Sequence, residues 1–154
     1  MRSGRCLIFL SLFAGCRSAA REVPLRVHTD VAGLAERLSL PVGVRSARWL
    51  VVASGSSGSL APGPTDTTLF ALVELEGDAW TALQGRAGTA TQEVPEEVAR
   101  VLFVPDALAA LQAHAGGRRI QGRRYDVQAW SKNPYSGDEA LRLGDALFLA
   151  MTTR

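Results

Sequence analysis

With 154 residues, 47% of them hydrophobic, the chain is long enough for one cored domain and too apolar for wholesale disorder. Its 17 basic and 15 acidic residues leave a net charge of +2, which falls to zero without Arg2 and Arg5, so charge alone argues for neither nucleic acid nor an anionic membrane. The two cysteines, Cys6 and Cys16, stand at the start, which excludes a disulfide or a cysteine metal site from everything downstream.

The chain begins with a positive segment, Arg2 and Arg5, and continues with the apolar run CLIFLSLF over residues 6–13. The small residues Ala14 and Gly15 then precede Cys16. This is the layout of a secretory signal, and the apolar run is too short to span a bilayer stably. The closing stretch Leu12-Phe13-Ala14-Gly15-Cys16 resembles the lipobox of bacterial lipoproteins, with Phe13 where Leu is usual. The resemblance implies that the Cys16 thiol is acylated, that residues 1–15 are removed and that Cys16 becomes the new N-terminus. Arg17, rather than Asp, follows the cysteine. By the sorting rule of enteric bacteria this implies delivery to the outer membrane, facing the periplasm. An ordinary signal peptide cut near Ala19-Ala20 is the alternative. The organisation expected is a signal peptide over 1–15, a lipidated tether over 16–24 and a single globular domain over 25–154.

Within that domain, Asp30 is placed to cap a short helix reaching about Leu38, with Val31, Leu34 and Leu38 on one face, Gly33 as a weak point and Pro41 beyond its end. Residues 44–53, VRSARWLVVA, read as a strand buried on both faces toward its end. A Gly/Ser/Pro-rich loop over 54–66 separates it from a second strand over 67–75, TTLFALVEL. The two strands make either a wide hairpin or an unpaired set. Asp78 is expected to cap a helical turn carrying Trp80 and Leu83. Residues 85–92, GRAGTATQ, read as flexible. Pro95-Glu96-Glu97 has the signature of a helix start, with acids at the positive end of the helix dipole and Val98, Val101 and Leu102 turned inward. After Pro105 a second helix over about 106–115 is expected to stop at Gly116-Gly117. Residues 123–131 alternate as a strand, 133–138 read as a turn, and 141–153 as a last strand, with a bulge or second turn at Gly144-Asp145. The fold class expected is α+β: about four mostly antiparallel strands with two to four short helices on one face.

Candidate sites are few. The SGSSGS loop lacks both the Walker lysine and the Gly-x-Ser-x-Gly elbow, so neither a phosphate cradle nor a serine nucleophile is assigned to it. Pro62, Gly63, Pro64, Thr65 and Asp66 form a conformationally restricted segment before a strand and are the candidate ligand rim, since a pre-ordered loop loses little entropy on binding. Arg118, Arg119, Arg123 and Arg124 put four guanidinium groups in seven residues, read as part of a loop leading into a strand. They are the candidate contact for phosphate or carboxylate groups of lipids, lipopolysaccharide or cell wall. His28 and His114, the latter placed late in a helix, share no ligand motif, so neither a metal nor another cofactor is expected. Trp49, Trp80, Tyr125 and Trp130 read as core aromatics, and no nucleic-acid partner is expected. No catalytic residue is assigned. The function expected is a lipid-anchored envelope protein with a non-catalytic binding or structural role and an envelope protein as possible partner. The alternative is an envelope hydrolase or small-ligand enzyme using acids such as Asp66, Glu74 and Asp126.

The lipid reading has a direct test. A buried acyl chain contributes about 0.8 kcal/mol per methylene to anchoring, so Cys16→Ser is expected to move the protein from the membrane pellet to the soluble fraction. Unchanged fractionation would exclude the anchor.

Overall fold

A computed structural model describes residues 24–53, 66–83 and 85–153, without the side chains of Arg86 and Ala87. Cys16 with the expected signal peptide, and Pro62, Gly63, Pro64 and Thr65 of the expected rim, lie outside the described residues.

The helix at the start is as the sequence suggests. In α1 (Val31–Arg37) the Asp30 carboxylate accepts from the Gly33 N–H at 2.9 Å, and Leu34 and Leu38 are fully buried. Gly33 is a fit rather than a defect, because a Cβ there would sit 3.2 Å from the Trp49 ring and collide with the capping carboxylate. β1 (Val44–Ala53) and β2 (Thr67–Leu75) pair antiparallel from Ala53 opposite Thr67 back to Val44 opposite Leu75, so the wide-hairpin reading holds. Full burial falls on the middle of β1, at Ala47, Trp49 and Leu50, and its end is more open.

Downstream, the structure departs from the sequence expectation. α2 (Gly77–Ala82) has Glu76 at its N-cap position, with Asp78 inside the first turn rather than at the cap. The stretch read as flexible is most of β3 (Gly85–Pro95), an eleven-residue strand held by its neighbour rather than by its own propensity. α3 (Glu96–Leu102) starts where expected and buries Val98, Ala99 and Leu102, while Val101 is only half-buried. The next helix is short. α4 (Pro105–Ala110) buries none of its residues, and the chain turns into β4 (Gln112–His114). Without a core-facing side there is nothing to hold a longer helix. The two-residue turn Ala115-Gly116, both at positive φ, then leads into β5 (Gly117–Asp126).

β5 ends at Asp126, five residues before the end of the strand expected over 123–131. A 3-10 turn over Gln128–Trp130 follows and buries Trp130 while exposing Ala129. β6 (Tyr135–Ser136) is a two-residue strand within the expected turn. The last expected strand is two: β7 (Glu139–Leu143) and β8 (Ala146–Thr153), joined by a tight turn at Gly144-Asp145.

The strands form one antiparallel sheet in the order β1-β2-β8-β7-β5-β3, with β4 on β5 and β6 on β8. Two corrections follow for the expected architecture. Among the described residues there are eight strands rather than about four, because short hairpins and a small-residue strand carry weak local signals. The helices cover both faces rather than one. α1, α2 and the 3-10 turn lie over Trp49, Ala71, Leu147 and Leu149, while α3 covers Leu50, Phe70, Ile120, Leu141 and Phe148. Phe70 and Phe103 each stack on Phe148, with centroids 6.3 and 6.1 Å away. Among the described residues no helix is long and apolar enough to cross a membrane.

β5 meets β7 so closely that a side chain is excluded at Gly122, where a Cβ would lie 2.5 Å from the Arg142 carbonyl oxygen. Backbone cannot yield as a side chain can. Gly122→Ala is therefore expected to cost about 1–3 kcal/mol, as overpacking does, read as a lower denaturant midpoint. An unchanged midpoint would show that β5 and β7 are not held this closely.

Candidate anion-binding face

All four arginines of the sequence motif lie in strand β5, Arg123 and Arg124 in a strand as expected and Arg118 and Arg119 where the leading loop was expected, and the pleat divides them between its faces. Arg118 and Arg124 share the face of Ile120, under α3. Both are engaged there. Arg118 holds Glu96 through Nε at 2.8 Å and Nη2 at 3.2 Å, and Arg124 donates from Nε to Glu139 at 2.7 Å. Arg119 and Arg123 lie on the opposite face. Arg119 reaches Glu93 across the β3–β5 pairing at 3.5 Å and the His114 ring at 3.0 Å.

Arg123 differs from the other three. Among the described residues no carboxylate lies within ion-pair distance of its guanidinium, which sits 5.7 Å from the Tyr125 ring. The residue directly opposite it on β7 is a second arginine, Arg142, likewise without a carboxylate among the described residues. Arg142 lies 4.1 Å over the Trp80 ring, and its Nε donates to the Gly144 carbonyl at 2.9 Å. Trp80 in turn meets Tyr125 edge-on at 5.6 Å. Like charges directly opposite each other on neighbouring strands destabilise a sheet. Ring contacts worth about 0.5–1 kcal/mol each at exposed sites offset part of that. What remains is a pair of guanidinium groups on an open sheet face, each already oriented by an aromatic ring. Such a pair can take a phosphate or carboxylate through several N–H donors at once.

Arg142 and the role of Trp80 were not found from the sequence. The signal that could have found Arg142 is the alternation in ALRL, with Leu141 and Leu143 to one side and Arg142 to the other. Its register opposite Arg123 depends on the path of the intervening segment. Trp49, Tyr125 and Trp130 are core as expected, and Trp80 is half-buried, packed against the same core while its ring also carries Arg142.

The other candidates are placed as follows. Asp66 is exposed just before β2, and Glu74 stands near the far end of the same strand. Asp126 closes β5 and accepts from the Gln128 N–H at 2.9 Å. Asp66, just before β2, and Glu74, near its far end eight residues on, are not brought together. His28 pairs with Trp49 on the outer flank of β1, its ring stacked on the indole at 4.4 Å. His114 is in strand β4 rather than late in a helix. Its Nε2 lies 2.9 Å from Glu93 Oε1, completing a Glu93–His114–Arg119 cluster. The cluster is open to solvent, with the Glu93 side chain 62% exposed and that of His114 39%, so it lacks the water exclusion that strengthens acid–base chemistry.

Comparison with protein-family models, curated proteins and solved structures finds no match.

Glu96 and Glu74 have depressed pKa values. The Glu96 carboxylate is held below its ordinary 4.5 mainly by the Arg118 hydrogen bond and further by Arg100. Glu74 is lowered by Ser46 first and then by Arg45. A folded-state pKa below the unfolded one stabilises above the unfolded value, and that contribution is lost as pH falls through the folded pKa. Wild-type stability is therefore expected to drop on acidification below about 4.5. Glu96→Gln should flatten that acid limb in denaturant melts taken across the range. An identical limb in the variant would remove Glu96 from the explanation.

Proposed function

We propose that this chain is a lipid-anchored protein of the bacterial cell envelope with a non-catalytic binding role, and that it holds an anionic envelope group on the Arg123–Arg142 face. The observation that carries the binding reading is the directly opposed arginine pair, oriented by Trp80 and Tyr125 and without a described carboxylate partner. The lipobox resemblance of residues 12–16 supports the location. A tether of a few residues keeps the face near envelope phosphates and carboxylates, so a modest intrinsic affinity suffices. Arg118, Arg119 and Arg124 take a supporting part, since their charges are already matched by Glu96, Glu93 and Glu139.

The test is calorimetric titration of the purified protein, held in amphipol, with dihexanoyl-phosphatidylglycerol and with the zwitterionic dihexanoyl-phosphatidylcholine. Binding is expected for the anionic lipid alone and should weaken as salt rises. Arg123→Gln with Arg142→Gln should abolish it while leaving the melting temperature unchanged or raised, because a like-charge pair is removed. Equal binding of both lipids, or full binding by the double variant, would sink the reading.

A further inference from the structure

A second feature, separate from the arginine face, lies where β5 changes partner. Its residues 117–119 pair with β4 and its residues 123–126 with β7. Ile120, Gln121 and Gly122 between them have no pairing partner on that flank. A cleft of about 500 Å³ opens at this gap, between α4 and the β7–β8 turn. That volume lies within the roughly 300–1,000 Å³ of small-molecule sites. Phe103 and Leu111 line one side and Leu143 the other.

The polar groups of the cleft sit together at one end. Gln112 stands directly opposite Arg119 on β4, and Gln121 follows two residues along β5 on the same face. The Arg119 guanidinium is tied through Nη2 to Glu93 and His114. Its Nε is shielded from solvent and has no hydrogen-bond partner, and it is the one such side-chain atom among the described residues. A shielded cationic N–H without an acceptor is costly, and a ligand anion is the natural group to supply one. The neighbouring carboxamides add further donors. One wall is α4, whose Ala107 and Ala110 line the cleft while the helix buries none of its residues.

From this arrangement we infer that the cleft is a binding site for a small amphiphilic monocarboxylate. The aliphatic body lies between Leu111 and Leu143, and the carboxylate takes hydrogen bonds from Arg119, Gln112 and Gln121. The apolar walls select the chain, and the donors select an ionised head over a neutral one. The cleft shares Arg119 with the supporting part of the arginine face but contains neither Arg123 nor Arg142, so Ala107→Trp and the Arg123/Arg142 double variant test the two sites separately.

The experiment uses octanoate, octanol and acetate as probes, followed by saturation-transfer NMR and calorimetry on the amphipol-held protein. Octanoate is expected to bind one to one, and octanol and acetate at least tenfold more weakly. Two variants separate the contributions. Ala107→Trp fills the cleft from a helix outside the core, and Arg119→Gln removes the charged donor; each should weaken octanoate at least tenfold. Both variants carry the same amphipol, so partitioning of octanoate into it cancels. Absence of octanoate binding, or binding that survives Ala107→Trp, overturns the site. Octanol binding as well as octanoate, or octanoate binding undiminished in Arg119→Gln, overturns the carboxylate assignment. Acetate binding as tightly as octanoate overturns the apolar part.

Discussion

Leu147, Phe148 and Leu149 are consecutive residues in β8, and none of the three is reached by solvent. Successive side chains of a strand point to opposite faces, so this burial requires cover on both sides of the sheet at once. It also requires a hydrogen-bonded strand on each flank, since buried backbone groups must be paired. β2 and β7 supply the flanks, α1 and α2 help cover one face and α3 the other. The rest of the architecture follows from that demand. The Phe148 ring, between Phe70 of β2 and Phe103 just after α3, joins the sheet to its helical cover.

β5 lies outside this fully covered centre and shows what the pleat does where one face is left open. Four of its residues are arginines, and alternation sends two to each side. On the side under α3 the cations are held by Glu96 and Glu139, as suits charges against a packed helix. On the open side Arg119 finds a carboxylate and a histidine, and Arg123 finds another arginine. A motif that reads as one basic cluster thus becomes two neutralised positions, one shared position and one half of a new pair.

Local pattern carried much of the first half of the chain. The Asp30 cap, the β1–β2 hairpin and the acidic start of α3 have strong residue-level signals, and all three stand where those signals put them. Legibility fails at residues 85–92 and 112–116, for a common reason. Gly, Ala and Thr have little burial of their own to declare a strand, and both segments are strands or turns because β5 pairs with them. The reverse error at 106–115 has the same root, since helix formers without a buried face do not sustain a helix. At the candidate site, the residue types were visible and the pairing was not. Arg123 was in view, but Arg142 lies nineteen positions further on, beyond a 3-10 turn and a two-residue strand.

By itself, the sequence determined the lipobox-like pattern of residues 12–16, the β-branched and apolar strands around Trp49 and Phe70, and the presence of a basic cluster. These are properties of neighbours a few residues apart, which periodicity and capping chemistry record directly. Only the tertiary structure decided that the helices cover both faces, that Arg123 stands opposite Arg142, and that β5 leaves a cleft where β4 ends and β7 begins. Each of these depends on strand register, and register is set jointly by the burial of both faces and by distant turns, which no single stretch of the chain contains.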